Sequence, residues 1–196
     1  MRVIAGTFRS RPLQPIRDLD IRPTSDRLRE TLFNVLTSGN PQALERSVWL
    51  DLFAGTGAVG IEAISRGAAT VYFVEASRPA TELIRQNLKS LGVADGFRMM
   101  AQKSAPALTQ LEAQGVQANF VFLDPPYRLQ EAYGQTLEAL ASLTLAAGAL
   151  VIVEHEKRFD PGESFGSLQR LRKLKQGDAA LSFYRRLKDR HNSVAK

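Results

Sequence analysis

From Val48 onward the chain repeats one pattern: a short apolar run, a turn, then a longer stretch whose apolar residues recur at helical spacing. Nothing else constrains the fold as strongly. Apolar runs of this kind suit strands buried on both faces of a parallel sheet, with the helices crossing over between them. The spacing predicts strands over 48–52, 70–75, 97–100, 119–123, 149–154, 169–175 and 180–186, and helices over 58–66, 78–91, 105–114 and 131–143. Only Gln176-Gly177-Asp178 separates the last two strands, too short a link for a crossover, so they form an antiparallel hairpin at one edge. The expected architecture is α/β, a doubly wound and mostly parallel sheet of seven strands. A chain of 196 residues has room for one such domain and a small appendage.

The first forty residues follow another pattern. Val3 to Leu13 alternate apolar residues with arginines and are punctuated by Gly6 and Pro12, which reads as a small hairpin or arm. Arg22-Pro23-Thr24-Ser25-Asp26 then carries helix-start signals, and Leu28, Leu32, Phe33, Val35 and Leu36 form one apolar stripe, with Arg27, Arg29 and Glu30 assigned to the opposite face. Gly39-Asn40-Pro41 closes the unit. Residues 1–40 are therefore read as an N-terminal extension and 41–196 as the main domain, with His191 to Lys196 expected to be disordered.

Charge and composition narrow the chemistry. The net charge of +6 divides into +3 over residues 1–40, −3 over 41–154 and +6 over 155–196. Basic ends around a mildly acidic centre suit a protein whose ends meet a polyanion while its centre holds something else. For any single Arg or Lys among them, a solvated exterior is the better reading. With no cysteine and two isolated histidines, His155 and His191, no thiolate or imidazole metal site is expected. No apolar stretch approaches the roughly 18 residues of a membrane helix, and the N-terminus lacks a signal-peptide core, so a cytoplasmic protein is expected.

Two loops concentrate the candidate site residues. Asp51-Leu52-Phe53-Ala54-Gly55-Thr56-Gly57-Ala58-Val59-Gly60 joins the first predicted strand to the first predicted helix of the repeat, and its glycines satisfy G-x-G-x-x-G. Glu75 ends the next strand, where an acid can accept from ribose hydroxyls. That motif permits a nicotinamide cofactor. Asp51 and the absence of Lys or Arg in the loop instead favour a ligand with a cationic amino-acid moiety, namely S-adenosylmethionine, over a pyrophosphate. Phe53 is placed either on the cofactor or in the core. The second loop, Asp124-Pro125-Pro126-Tyr127, follows the apolar run Phe120-Val121-Phe122-Leu123. Two prolines end a strand abruptly and leave a stiff loop at its carboxyl end, with a carboxylate before it and a ring after it. Alone, it is equally a rigid turn.

Taken together, these loops resemble the class I S-adenosylmethionine-dependent methyltransferases, and D-P-P-Y resembles the catalytic loop of those that methylate exocyclic amines. A longer set of segments resembles the RsmD family: Arg2-Val3-Ile4-Ala5-Gly6, Arg22-Pro23-Thr24, Asp26 to Asn34, Asp51 to Gly57, Gly60 with Glu62-Ala63, Ser65 to Ala68, Asp124 to Tyr127 and Val153-Glu154. The resemblance implies a Rossmann-like fold and methylation of a guanine N2 in bacterial 16S rRNA, within a small-subunit assembly intermediate, by a monomeric enzyme without a metal. It implies that Asp51, Phe53, Gly55, Thr56, Gly57, Glu75 and Asp124 hold S-adenosylmethionine. Asp124, Pro125, Pro126 and Tyr127 would act on the guanine, and Arg2, Arg9, Arg11, Arg22, Thr24, Arg27, Arg29 and Phe33 would face the RNA. Relatives carry Asn or Asp followed by Ala after the third strand; here Lys103-Ser104 stands there, and Gln102 is the alternative adenine contact. The rival expectations are N6-adenine methylation on DNA or RNA, and an NAD(P)-binding oxidoreductase.

Overall fold

A computed structural model describes residues 1–15 and 25–187. The expected calls on Arg22, Thr24 and the C-terminal tail lie outside those residues. The elements are α1 (Asp26–Thr37), β1 (Val48–Leu52), α2 (Ala58–Ser65), β2 (Thr70–Val74), α3 (Arg78–Leu91), β3 (Phe97–Met100), α4 (Ser104–Ala113), β4 (Phe120–Leu123), α5 (Gln130–Ser142), β5 (Leu150–Glu156), β6 (Ser164–Phe165), β7 (Leu168–Gln176) and β8 (Ala179–Arg186), with a single 3₁₀ turn at Thr144–Ala146. No helix among the described residues is long and apolar enough to cross a membrane.

The sheet has eight strands in the order β3-β2-β1-β4-β5-β8-β7-β6, which corrects the expected seven. The first five pair in parallel, whereas β5–β8, β7–β8 and β6–β7 pair antiparallel, so the sheet is mixed. The missed strand, β6, is only Ser164–Phe165, too short to leave a period in the sequence. The predicted hairpin is present: Gln176 pairs with Ala179 across Gly177-Asp178, and Gly177 takes φ 60°, a left-handed conformation suited to a two-residue turn.

Strand alternation divides the core. Trp49, Phe120, Phe122 and Ile152 face a cluster with Leu28, Leu32 and Phe33 of α1, Ile61 of α2 and Ile84 and Leu88 of α3. Leu50, Leu52, Val121, Leu123, Val151 and Val153 face Leu108 and Leu111 of α4 and Leu137 and Leu140 of α5. Trp49, Phe120 and Phe122 are thus core, as their alternation predicts.

The arm is a hairpin closed by one antiparallel bridge, Arg2 with Pro12, and by Val3 N–H to Arg11 O at 2.9 Å and Leu13 N–H to Met1 O at 3.1 Å. Two buried side chains hold it to the domain. Glu62 of α2 is fully buried, and its carboxylate accepts from Ile4 N at 2.7 Å, Ala5 N at 3.0 Å and Arg66 Nε at 2.7 Å. Asn87 of α3, also fully buried, accepts from Gln14 N at 2.8 Å and donates to Thr56 O at 3.2 Å. Gly6 is obligatory where the arm crosses α2: a Cβ there would lie 1.8 Å from the Ser65 carbonyl oxygen.

Candidate active site

The strand order reverses between β1 and β4, and in open α/β sheets a crevice opens beyond the carboxyl ends of such strands. Both candidate loops leave the sheet there. Leu52 pairs with Leu123, and Asp124 N–H reaches Leu52 O at 3.4 Å. The Asp51–Gly57 loop and Asp124–Tyr127 therefore start from neighbouring strands, about 4.8 Å apart by sheet spacing.

The glycine loop is shaped for close approach. Phe53, a non-glycine residue, sits at φ 62°, and a left-handed conformation at a bulky residue is strain of the kind found at binding sites. Gly57 enters α2 at φ 76°, and a Cβ on Gly60 would come within 2.3 Å of the Phe73 ring and 2.9 Å of Asp51 Oδ2. Glu75 reaches back: its carboxylate accepts from Gly55 N at 2.9 Å and Ser77 N at 2.7 Å. It clamps the loop as well as presenting an acid at the crevice. Thr56 is buried, its hydroxyl 3.7 Å from Met1 Sδ.

Asp51 is buried and accepts from Gly60 N at 2.9 Å. Burial pushes its carboxyl up to about 8; the Gly60 N–H opposes this and the Glu75 charge adds to it. A carboxyl raised from 3.8 to about 8 keeps its proton in the folded chain where the unfolded chain has lost it. Its contribution to stability is complete below the lower value and fades as pH rises to the upper one. The melting temperature of wild type relative to Asp51→Asn is therefore expected to fall between about pH 5 and pH 8. Parallel melting curves across that range contradict a buried, proton-holding Asp51.

In the second loop Pro125 is buried, while Asp124, Pro126 and Tyr127 are half-buried. Tyr133 of α5, a residue the sequence reading passed over, is buried, and its hydroxyl donates to Pro125 O at 3.3 Å. Burial, then the nearby Asp124 and Tyr127, raises the Tyr133 hydroxyl well above an ordinary phenol, so it stays a donor. One lone pair of the Pro125 carbonyl is engaged, and a carbonyl oxygen carries a second. Gln102 follows β3 and its amide donates to Gln110 at 2.9 Å; Lys103 is the N-cap position of α4 and Ser104 its first residue.

The predicted RNA-facing set divides. Arg2, Arg9, Arg11 and Arg27 are exposed, with Arg11 Nη2 donating to Ser90 O at 3.1 Å. Arg29 and Phe33 are fully buried, which corrects their assignment to a substrate face. Arg29 donates to Arg2 O and to Asp26 at 3.0 Å and lies 3.8 Å from Glu62; it ties α1 to the arm. Phe33 stacks on Trp49 at 5.5 Å, and the Arg66 guanidinium lies 4.9 Å from its ring. Residue 29 lies four and seven positions before Phe33 and Leu36, on the buried side of α1 rather than on the opposite face to which its charge assigned it, and the buried carboxylate of Glu62 is what an inward arginine requires.

Comparison with known proteins adds to this geometry. The chain matches the family described as Conserved hypothetical protein 95 over residues 1–185. A Haemophilus influenzae protein named Ribosomal RNA small subunit methyltransferase D is 35% identical over 158 residues, covering 80% of this chain and 79% of that one. The chain belongs to the RsmD family. A Bacillus subtilis relative, named as a candidate rRNA methyltransferase, is 31% identical over 95% of this chain and 99% of its own length. The solved structure of a candidate methyltransferase of Escherichia coli superposes with a TM-score of 0.78 at 33% identity, covering 96% of this chain and 99% of that one. The family match spans the arm, α1 and the sheet together.

Proposed function

We propose that the chain transfers a methyl group from S-adenosylmethionine to the exocyclic N2 of a guanine in 16S rRNA. The observation that carries this reading is the neighbouring origin of the two loops, a glycine turn flanked by Asp51 and Glu75 beside Asp124-Pro125-Pro126-Tyr127. Membership of the RsmD family, with relatives named as methyltransferases of small-subunit ribosomal RNA, supports the substrate.

The donor set fits S-adenosylmethionine. Asp51, whose buried carboxyl a neighbouring cation would ionise, answers an ammonium group, Glu75 accepts from ribose hydroxyls, and the backbone near Gly55 and Gly57 carries no side chain to obstruct approach. When bound, that cofactor supplies an activated methyl group. The protein's part is to position the amine, whose lone pair is delocalised into the base. Asp124 and the second lone pair of Pro125 O accept its two N–H groups, and Tyr127 stacks on the base. The reading requires calorimetric binding of S-adenosylmethionine and none of NAD⁺; the reverse selectivity contradicts it. It places the RNA on the exposed arginines. Arg27→Ala is expected to weaken RNA binding and to lower the slope of log affinity against log salt by about 0.7–1, as loss of one phosphate contact does; titrations at several salt concentrations measure it.

A further inference from the structure

Asn87 is a fully buried polar side chain that the proposed transfer does not use, and its amide joins two parts of the chain that are far apart in sequence. It shares a face of α3 with Ile84, and a Cβ on Gly57 would lie 3.1 Å from Ile84, so this face is pressed against the glycine loop. On one side the amide pairs with the arm. Its oxygen accepts from Gln14 N at 2.8 Å and its nitrogen donates to Gln14 O at 3.3 Å, so both backbone groups of Gln14 are satisfied as they would be by a neighbouring strand. On the other side the same nitrogen donates to Thr56 O at 3.2 Å. The Gln14 N–H dictates which end of the amide is the oxygen, and the nitrogen is thereby left for Thr56.

Thr56 is the central residue of Gly55-Thr56-Gly57, and the arm meets it a second time through Met1, whose Sδ lies 3.7 Å from the Thr56 hydroxyl. Met1 O in turn accepts from Leu13 N at 3.1 Å, so the two ends of the arm that reach the loop are bonded to each other. Glycines on both sides leave this stretch little intrinsic stiffness. Its shape depends on anchors from outside: Glu75 on Gly55 N at 2.9 Å and Asn87 on Thr56 O. The arm has only Val3 and Leu13 buried, and segments with so few buried apolar contacts are the ones that open first.

We propose that Asn87 is a positioning residue for the glycine loop, and that it makes the arm part of the S-adenosylmethionine site: a seated arm turns the amide onto Thr56 O, and a lifted arm releases it. The inference rests on the cofactor assigned above. A released loop must be ordered when the cofactor enters, so cofactor affinity falls. Once the cofactor is bound the loop is formed, and transfer at Asp124 proceeds at its usual rate.

The test combines calorimetry of S-adenosylmethionine on the full chain with steady-state transfer to small-subunit particles from a strain lacking the protein. Asn87→Leu keeps the volume nearly constant and removes all three hydrogen bonds. Cofactor affinity is expected to fall about tenfold, as for buried partners left unpaired, while kcat at saturating cofactor stays within about twofold of wild type. Asn87→Ala, which favours the helix, takes its place if leucine does not fold. Val3→Ala loosens the arm at a residue outside the loop. Alone it is expected to weaken cofactor binding about threefold, and added to Asn87→Leu by less than about 1.5-fold, because the connection is already cut. Unchanged affinity in the Asn87 variants, a loss confined to kcat, or fully additive effects of Val3→Ala and Asn87→Leu overturns the proposal. A wild type that binds no S-adenosylmethionine overturns the cofactor reading itself, which is a distinct outcome.

Discussion

Replacing Asp124 with alanine is expected to lower methyl transfer by more than about a hundredfold while leaving S-adenosylmethionine affinity within about threefold of wild type. The asymmetry follows from where the residue sits. Asp124 begins the second loop, on the strand beside the glycine turn, and its backbone is held to Leu52 O. Asp51 and the glycines belong to the first loop and Glu75 follows β2, and they are held by hydrogen bonds of their own, Asp51 to Gly60 and Glu75 to Gly55 and Ser77. Removing the Asp124 carboxylate takes away an acceptor for an amine that reacts only when oriented, and leaves the other loop intact. Single-turnover rates with saturating donor, beside calorimetry on the same variant, separate the two effects. Retained turnover means that the loop is structural and that another group orients the amine.

The second large effect concerns stability. Glu62→Ala is expected to destabilise the protein by about 3–5 kcal/mol, the range for removing one partner of a buried ion pair. The carboxylate is fully buried and gathers Ile4 N, Ala5 N and Arg66 Nε, with Arg29 at 3.8 Å. Its removal leaves three donors without their acceptor and takes the nearer buried counter-charge from the Arg29 guanidinium, whose hydrogen bonds to Arg2 O and Asp26 remain. The arm, which has only Val3 and Leu13 buried, then loses its main polar anchor, and trypsin should cut after Arg9 at lower concentration than in wild type. Glu62→Gln keeps one acceptor oxygen and should lose less. Urea denaturation compares the three proteins; a Glu62→Ala chain within about 1 kcal/mol of wild type contradicts the anchoring role.

The sheet was legible in the sequence wherever a strand is buried on both faces. The run Phe120-Val121-Phe122-Leu123, short and stopped by two prolines, reads as a buried strand, and the observed β4 is Phe120–Leu123. The edge was harder. β6 has two residues, and β7 mixes Arg170, Arg172, Lys173 and Lys175 with Leu171 and Leu174, so neither carries a clean period. For the candidate site, motif spacing identified the two loops, and strand order brought them together. What the sequence could not show is which polar residues turn inward. Arg29 lies on a helix beside exposed Arg27 and Glu30, and its burial depends on Asp26, Arg2 O and Glu62, the last 33 positions away. Asn87, Glu62 and Tyr133 were invisible for the same reason: each is defined by a partner distant in sequence or by a backbone carbonyl. Gln176 is a further case, since its buried Oε1 has no donor among the described residues, and no sequence pattern records that.

The central claim is that the two loops methylate a guanine N2. The most direct measurement supplies methyl-tritiated S-adenosylmethionine and the purified chain to small-subunit ribosomal particles from a strain lacking the protein, then digests the RNA to nucleosides. The account predicts label in N2-methylguanosine alone, and none with Asp124→Ala. Label in N6-methyladenosine, or particles that stay unlabelled, contradicts it.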